Sequence, residues 1–369
     1  MENNPSLSIS DSDFTKTDNI EKLGLSILSI GLVTLMLIAF KTVFYLPHLF
    51  STGGILVLTG ALLFIFRKHL KHQPGIQNNH IWHTSITSGG FSGWLLAIAV
   101  TSFYIIIYWF PSLLNNLVKA AGPLSFFLRG KEADRWFLYG TIYTVMILIM
   151  GLKAILKYRH SNYQIVRTIS VMFFQLAFAY LIPAILQLFN QPEFYFNYFW
   201  PLKYDYLFPS TVHSLISHPG GLGVFMVFWG TMMTFIATPI LTYFFGKRWY
   251  CSWVCGCGGL ANTAGDPFRQ LSNKSTTAWK IERWIIYSVL IFIIITTALL
   301  WINSYQSGAL LGSLSKGFAK TYGFLIGAVF SGVIGVGFYP IMGSRVWCRF
   351  GCPMAAILGL QQRFFSRFR

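Results

Sequence analysis

The fold class this sequence predicts is all-α: a polytopic transmembrane bundle of about eight spans with both termini cytoplasmic. Three observations predict it. Only 11% of the 369 residues are charged while 54% are apolar, and mean hydropathy is +0.56. A soluble domain carries about a quarter charged residues, so the surplus apolar surface here needs lipid. Stretches of about twenty residues almost free of charge recur along the chain, and the lysines and arginines collect in the short loops between them.

The polar, acidic tail Met1–Lys22 has neither the basic region of a signal peptide nor a lipidation motif, so the first span is expected to be retained. Spans are predicted at roughly 23–41, 46–66, 91–111, 137–155, 167–189, 222–245, 284–302 and 323–342. The second holds His48 and several small residues and is the least typical. The fifth carries Pro183, which predicts a kink there. Three regions follow: a tail at 1–22, an N-terminal membrane region at 23–220 and a C-terminal membrane region at 221–369.

Basic clusters set the orientation. They are Arg67, Lys68 and Lys71; Lys153, Lys157, Arg159 and Arg167; Lys247 to Arg283; and Arg345 to Arg369. Eight crossings put all four on the cytoplasmic side of a bacterial inner membrane. The loop 111–136 runs against the rule, because Lys119, Arg129, Lys131 and Arg135 then face outward. The net charge of +17 fits anionic lipid headgroups rather than nucleic acid, for which no binding motif is present. Between spans five and six, Phe194 to Trp200 with Tyr204 and Tyr206 form an aromatic outer loop. It reads as an interfacial belt with a re-entrant segment, or alternatively as a quinone-binding surface.

All five cysteines lie just past spans six and eight: Cys251, Cys255, Cys257, Cys348 and Cys352. Their surroundings are copies of each other. Gly246 to Leu260 and Gly343 to Ile357 align without a gap as Gly-x-Arg-x-aromatic-Cys-x-x-x-Cys, then Gly or Pro and, after one unmatched position, two small residues and an aliphatic one. Duplicated units of this kind place a shared site at their interface. Cysteines four apart share a helical face, and helix N-termini with cations such as Arg345 and Arg349 favour thiolate. Two thiolates per unit make a four-sulfur set, suited to an iron–sulfur cluster, zinc or cuprous copper. A thiol–disulfide relay uses the same residues. Cys257 has no counterpart, since Met354 holds its place.

Cys348-Arg349-Phe350-Gly351-Cys352-Pro353 resembles the motif of polytopic membrane 4Fe–4S proteins of the NapH, NosR and CcoG types. The resemblance runs from span six onward. It implies electron transfer between a quinol pool or cytoplasmic donor and a respiratory partner, with Cys251, Cys255, Cys348 and Cys352 as cluster ligands and Cys257 as a spare. The alternative is a thiol–disulfide or metal-handling assembly factor for a respiratory metalloenzyme. Two departures stand out. Gly256 replaces a proline of the first motif, and the ferredoxin-like domain usual in such proteins does not follow by Arg369. A longer parent chain, or a ferredoxin-type partner on a separate chain, is the expectation. The histidines (His48, His69, His72, His80, His83, His160, His213, His218) sit mostly in loops, which disfavours haem. Pro267 predicts an extended Asp266 in a structural turn.

Overall fold

The computed structural model describes residues 17–39, 47–71, 74, 86–306, 311–312 and 314–367. Within them every regular element is helical, and eight helices are long and apolar enough to cross a membrane. Most of the N-terminal tail, Lys41, His72, His80 and His83 lie outside the described residues.

Helices α1 (Asn19–Ala39) and α2 (Pro47–Lys71) form a closely packed hairpin. A Cβ on Gly60 would lie 2.4 Å from the Leu28 nitrogen, so the small residues of the second span serve backbone contact. Buried Glu21 and Lys68 close its end at 3.2 Å. Helix α3 (Phe91–Trp109) leads into the short α4 (Asn115–Ala120) and α5 (Gly122–Arg129), and then α6 (Arg135–Lys157) begins at the N-cap Asp134, whose carboxylate accepts the Phe137 N–H. Two cations that ran against the charge rule have local partners here. Arg129 pairs with Asp134 (2.9 Å) and lies over the Phe137 ring. Arg135 donates to the terminal carbonyls of α3 at Ile107 and Tyr108.

In α7 (Asn162–Leu188) the turn before Pro183 widens into a π-helix over Phe174–Leu181. Pro183 supplies no N–H, and the wider turn re-pairs the carbonyls it would leave free. After α8 (Pro209–Ile216), α9 (Leu222–Phe245) repeats the device before Pro239, over Met233–Ala237. Short helices α10 (Arg248–Trp253) and α11 (Gly256–Asn262) precede α12 (Thr276–Tyr305), which is capped by Ser275. Helix α13 (Leu314–Ile334) starts earlier and stops sooner than the predicted eighth span. Its first turns carry Lys316 and Lys320 on an exposed face, which a charge-free window rejects, and turns at 335–338 end it near Gly335 and Gly337. The chain closes with α14 (Tyr339–Met342), α15 (Val346–Phe350) and α16 (Pro353–Phe365).

Hydrogen bonds sort the loops into two faces. On one, Arg67 meets Asp18, Arg159 donates to the His69 carbonyl, Lys157 meets Asp266 and the Arg367 N–H reaches the Tyr243 carbonyl. On the other, Trp301 donates to the Leu207 carbonyl and Ser210 meets Ser304. The four predicted basic clusters therefore share one face, called the basic face below.

Candidate iron–sulfur centre

Both cysteine segments fold back into the bundle. The sequence placed the cysteines just past the span ends, at the membrane surface; the structure carries them deeper. After α9 reaches the basic face, Gly246 turns the chain with a positive φ of 69° and α10 leads inward. Tyr250, Cys251 and Cys255 pack with Met233, which lies near the middle of α9. Gly256 faces Tyr143 and Gln175, near the middles of α6 and α7. Helix α11 then returns toward the basic face, where Asp266 is held by Lys157 (2.5 Å) and Tyr158 (2.9 Å). The second segment repeats the path. Gly343 turns at φ 84°, α15 leads in, Cys352 packs against the same Met233 cluster, and α16 runs out until Gln362 accepts the Lys247 N–H. These are two re-entrant hairpins, each with cysteines near its tip.

The aromatic outer loop descends to meet them, so its re-entrant reading holds. The Trp200 N–H donates to Thr234 within α9 (3.1 Å), and its indole N–H to Thr297 within α12 (3.0 Å). Phe199, fully buried, meets the Tyr250 ring edge-on at 5.7 Å. Backbone amides at this depth are tolerated because protein, not lipid, surrounds them.

The hairpins present equivalent sulfur environments. Cys255 caps α11 and Cys352 caps α16. The Cys255 sulfur accepts a hydrogen bond from the Cys257 thiol and faces the N–H groups of Gly258 and Cys257. The Cys352 sulfur likewise faces the N–H groups of Ala355 and Met354. The two backbone donors occupy the same relative positions in both copies. The Arg345 guanidinium lies within electrostatic reach of both Cys251 and Cys348. Arg345 adopts a left-handed backbone (φ 72°) and donates to Asn262 on α11 at 2.6 Å, linking the two hairpins. Arg349, expected to act on the thiols, is instead engaged by Glu282 (2.9 Å) and the Asn273 carbonyl. Asp266 begins a 3-10 turn rather than an extended strand, because its buried carboxylate is fixed by α6.

A cavity of about 640 Å³ reaches this centre from the opposite face. Arg129, Asp134 and Glu193 stand among its lining residues, as do Tyr143, Gln175 and Phe196, and Cys255, Cys257 and Cys352 wall its inner part. Gln175 Nε2 bonds Thr144 at 3.0 Å. Sequence reading passed over Gln175, although an amide in mid-span is a recognisable signal of function.

The donor set fits an iron–sulfur cluster. Five thiols converge from two hairpins, and all five are free. Burial disfavours the ionised form of such thiols, and a cationic iron–sulfur core would let them bind as thiolates. Among the described residues no three His, Cys, Asp or Glu side chains are gathered as ligands of one ion. A four-iron cluster asks for a different arrangement, one thiolate per iron at separate corners of a cube. The comparisons agree: a family model described as a 4Fe-4S binding domain matches residues 225–275 and 323–369, the two segments that hold all five cysteines. No curated protein and no solved structure matches. An iron–sulfur cluster is thus the supported cofactor, within a chain of membrane-spanning helices.

Proposed function

We propose that this chain is a membrane electron-transfer protein of the NapH, NosR and CcoG type, in which Cys251, Cys255, Cys348 and Cys352 hold one 4Fe–4S cluster. The observation that carries this reading is the meeting of two equivalent Cys-capped hairpins inside the bundle. The cluster supplies one-electron exchange. The protein's own residues do the rest. The helix N-termini at Cys255 and Cys352 direct N–H groups at sulfur. Phe199, packed edge-on against Tyr250, covers the centre beside the cavity. The cavity beside Cys255 admits a flat ring, with the Gln175 amide and Tyr143 hydroxyl as polar contacts, and this supports a quinol as one electron donor. The basic face, read as cytoplasmic in a bacterial inner membrane, suits an acidic ferredoxin-type or respiratory redox partner.

Anaerobic purification with iron and sulfide analysis and EPR tests the proposal. About four irons and four sulfides per chain are expected for one such cluster. A reconstituted protein with neither would overturn it. A second reading draws on the contact between Cys255 and Cys257, which suits a thiol–disulfide or metal-handling assembly factor. Differential alkylation separates the two: a reversible disulfide in cluster-free protein supports the second.

A further inference from the structure

Helix α12 has two faces where it leaves the basic side. One packs inward through Val289, Leu290 and Ile293, and on the same stretch Glu282 holds Arg349. The other bears a groove of about 380 Å³. Trp279, Lys280, Arg283 and Trp284 wall its end toward the basic face, and Tyr287 and Ile291 its end toward mid-bundle. Trp284 is 78% exposed. The Arg283 guanidinium rests 4.7 Å from the Trp279 ring centroid. Among the described residues neither Lys280 nor Arg283 is in an ion pair, and the neighbouring carboxylate, Glu282, is committed to Arg349.

We infer that this groove binds an anionic phospholipid. The order of chemistry along it is the order within such a lipid. Two free cations at the interface meet the phosphate, two tryptophans sit at headgroup depth, and the aromatic and apolar end takes an acyl chain. From Lys280 to Ile291 the helix rises about 17 Å, a length an acyl chain can follow. The Ser288 hydroxyl within the groove is already bonded to the Trp284 carbonyl (2.9 Å), so an acyl chain leaves no donor unpaired there. Free phosphate would leave the apolar end without a role. A second copy of the chain docked by a two-fold axis would set Lys280 and Arg283 against their own equivalents.

Native mass spectrometry of the full chain in neutral detergent tests this, with phosphatidylglycerol or phosphatidylcholine added. Phosphatidylglycerol is expected to be retained at least tenfold better. The double variant K280Q/R283Q is expected to lose that preference, and K280R to keep it. A melting temperature unchanged in phosphatidylcholine shows that the double variant is folded. Equal retention of the two lipids by the native protein would overturn the inference. So would an unaltered preference in the folded double variant, displacement of the lipid by inorganic phosphate, or a dimer that the variant dissociates in lipid-free detergent.

Discussion

A Cβ built on Gly258 would lie 1.7 Å from the carbonyl oxygen of Cys251. The returning helix of the first hairpin thus crosses the backbone of its own first cysteine at a distance only glycine allows. The equivalent residue of the second hairpin is Ala355, so that crossing is wider. Gly258→Ala must push α11 away from α10 and spread Cys251 from Cys255. We expect a loss of about 3 kcal/mol or more, at the upper end for overpacking, and a marked fall in bound iron. Ala355→Gly should cost only about 1 kcal/mol in helix propensity and keep its iron. Thermal melts in detergent with iron analysis check both.

The five cysteines should divide four to one. Replacing Cys251, Cys255, Cys348 or Cys352 by Ser removes a thiolate from the four-sulfur set, and each variant is expected to retain less than about a tenth of the iron. Cys257→Ser and Cys257→Met should both retain it, because the second hairpin already works with Met354 at that place. Iron loss in the Cys257 variants with retention in Cys255→Ser would exchange the roles of those two residues. Since a cluster is bound by the folded chain, its loss should also lower the melting temperature.

The clamp at Asp266 fixes the first hairpin to α6. Its carboxylate accepts from both Lys157 and Tyr158 and is 7% exposed. Asp266→Ala leaves the Lys157 ammonium, itself only 15% exposed, without its partner. Breaking a buried pair from one side costs about 3–5 kcal/mol. Lys157→Met on that background should recover part of it, because the buried ammonium is then gone, while Arg269, which also faces Asp266 at 3.6 Å, is half exposed and stays solvated. A double-mutant cycle on melting data gives the coupling; strictly additive effects would show that the pair does not hold the hairpin.

Much of this architecture was legible in the sequence, and the rest was not for identifiable reasons. The eight spans follow from hydropathy alone, and the duplicated cysteine units from self-alignment. Their shared face follows from charge bias, which Arg129 and Arg135 disturbed only because local partners engage them. The depth of the cysteines was hidden. Residues 246–262 are too short and too mixed to read as a membrane segment. Their burial depends on Phe199 and Trp200 descending from the other face, a long-range contact without local signature. Gln175 could have been found as an amide at mid-span, flanked on both sides by apolar residues.

The departure at Gly256 has a physical cause, and it makes the last prediction. Position 256 is the first residue of α11, where proline is favoured, and Cys255 before it already has the extended backbone (φ −67°, ψ 125°) that a following proline requires. The backbone would therefore accept the proline that the second hairpin carries at Pro353. The obstacle is tertiary: a Cβ at 256 would stand 2.6 Å from Gln175 Oε1 and 3.5 Å from the Tyr143 ring. Gly256→Pro alone should cost about 1–3 kcal/mol through overpacking and reduce bound iron. Adding Gln175→Ala makes room, and the double variant is expected to regain iron while the Gln175→Ala single variant keeps its own. If Gly256→Pro is as stable as the parent, Gln175 is not what selects glycine at this position. If the double variant stays as damaged as Gly256→Pro, the proline is excluded by the hairpin backbone and not by the α7 side chain.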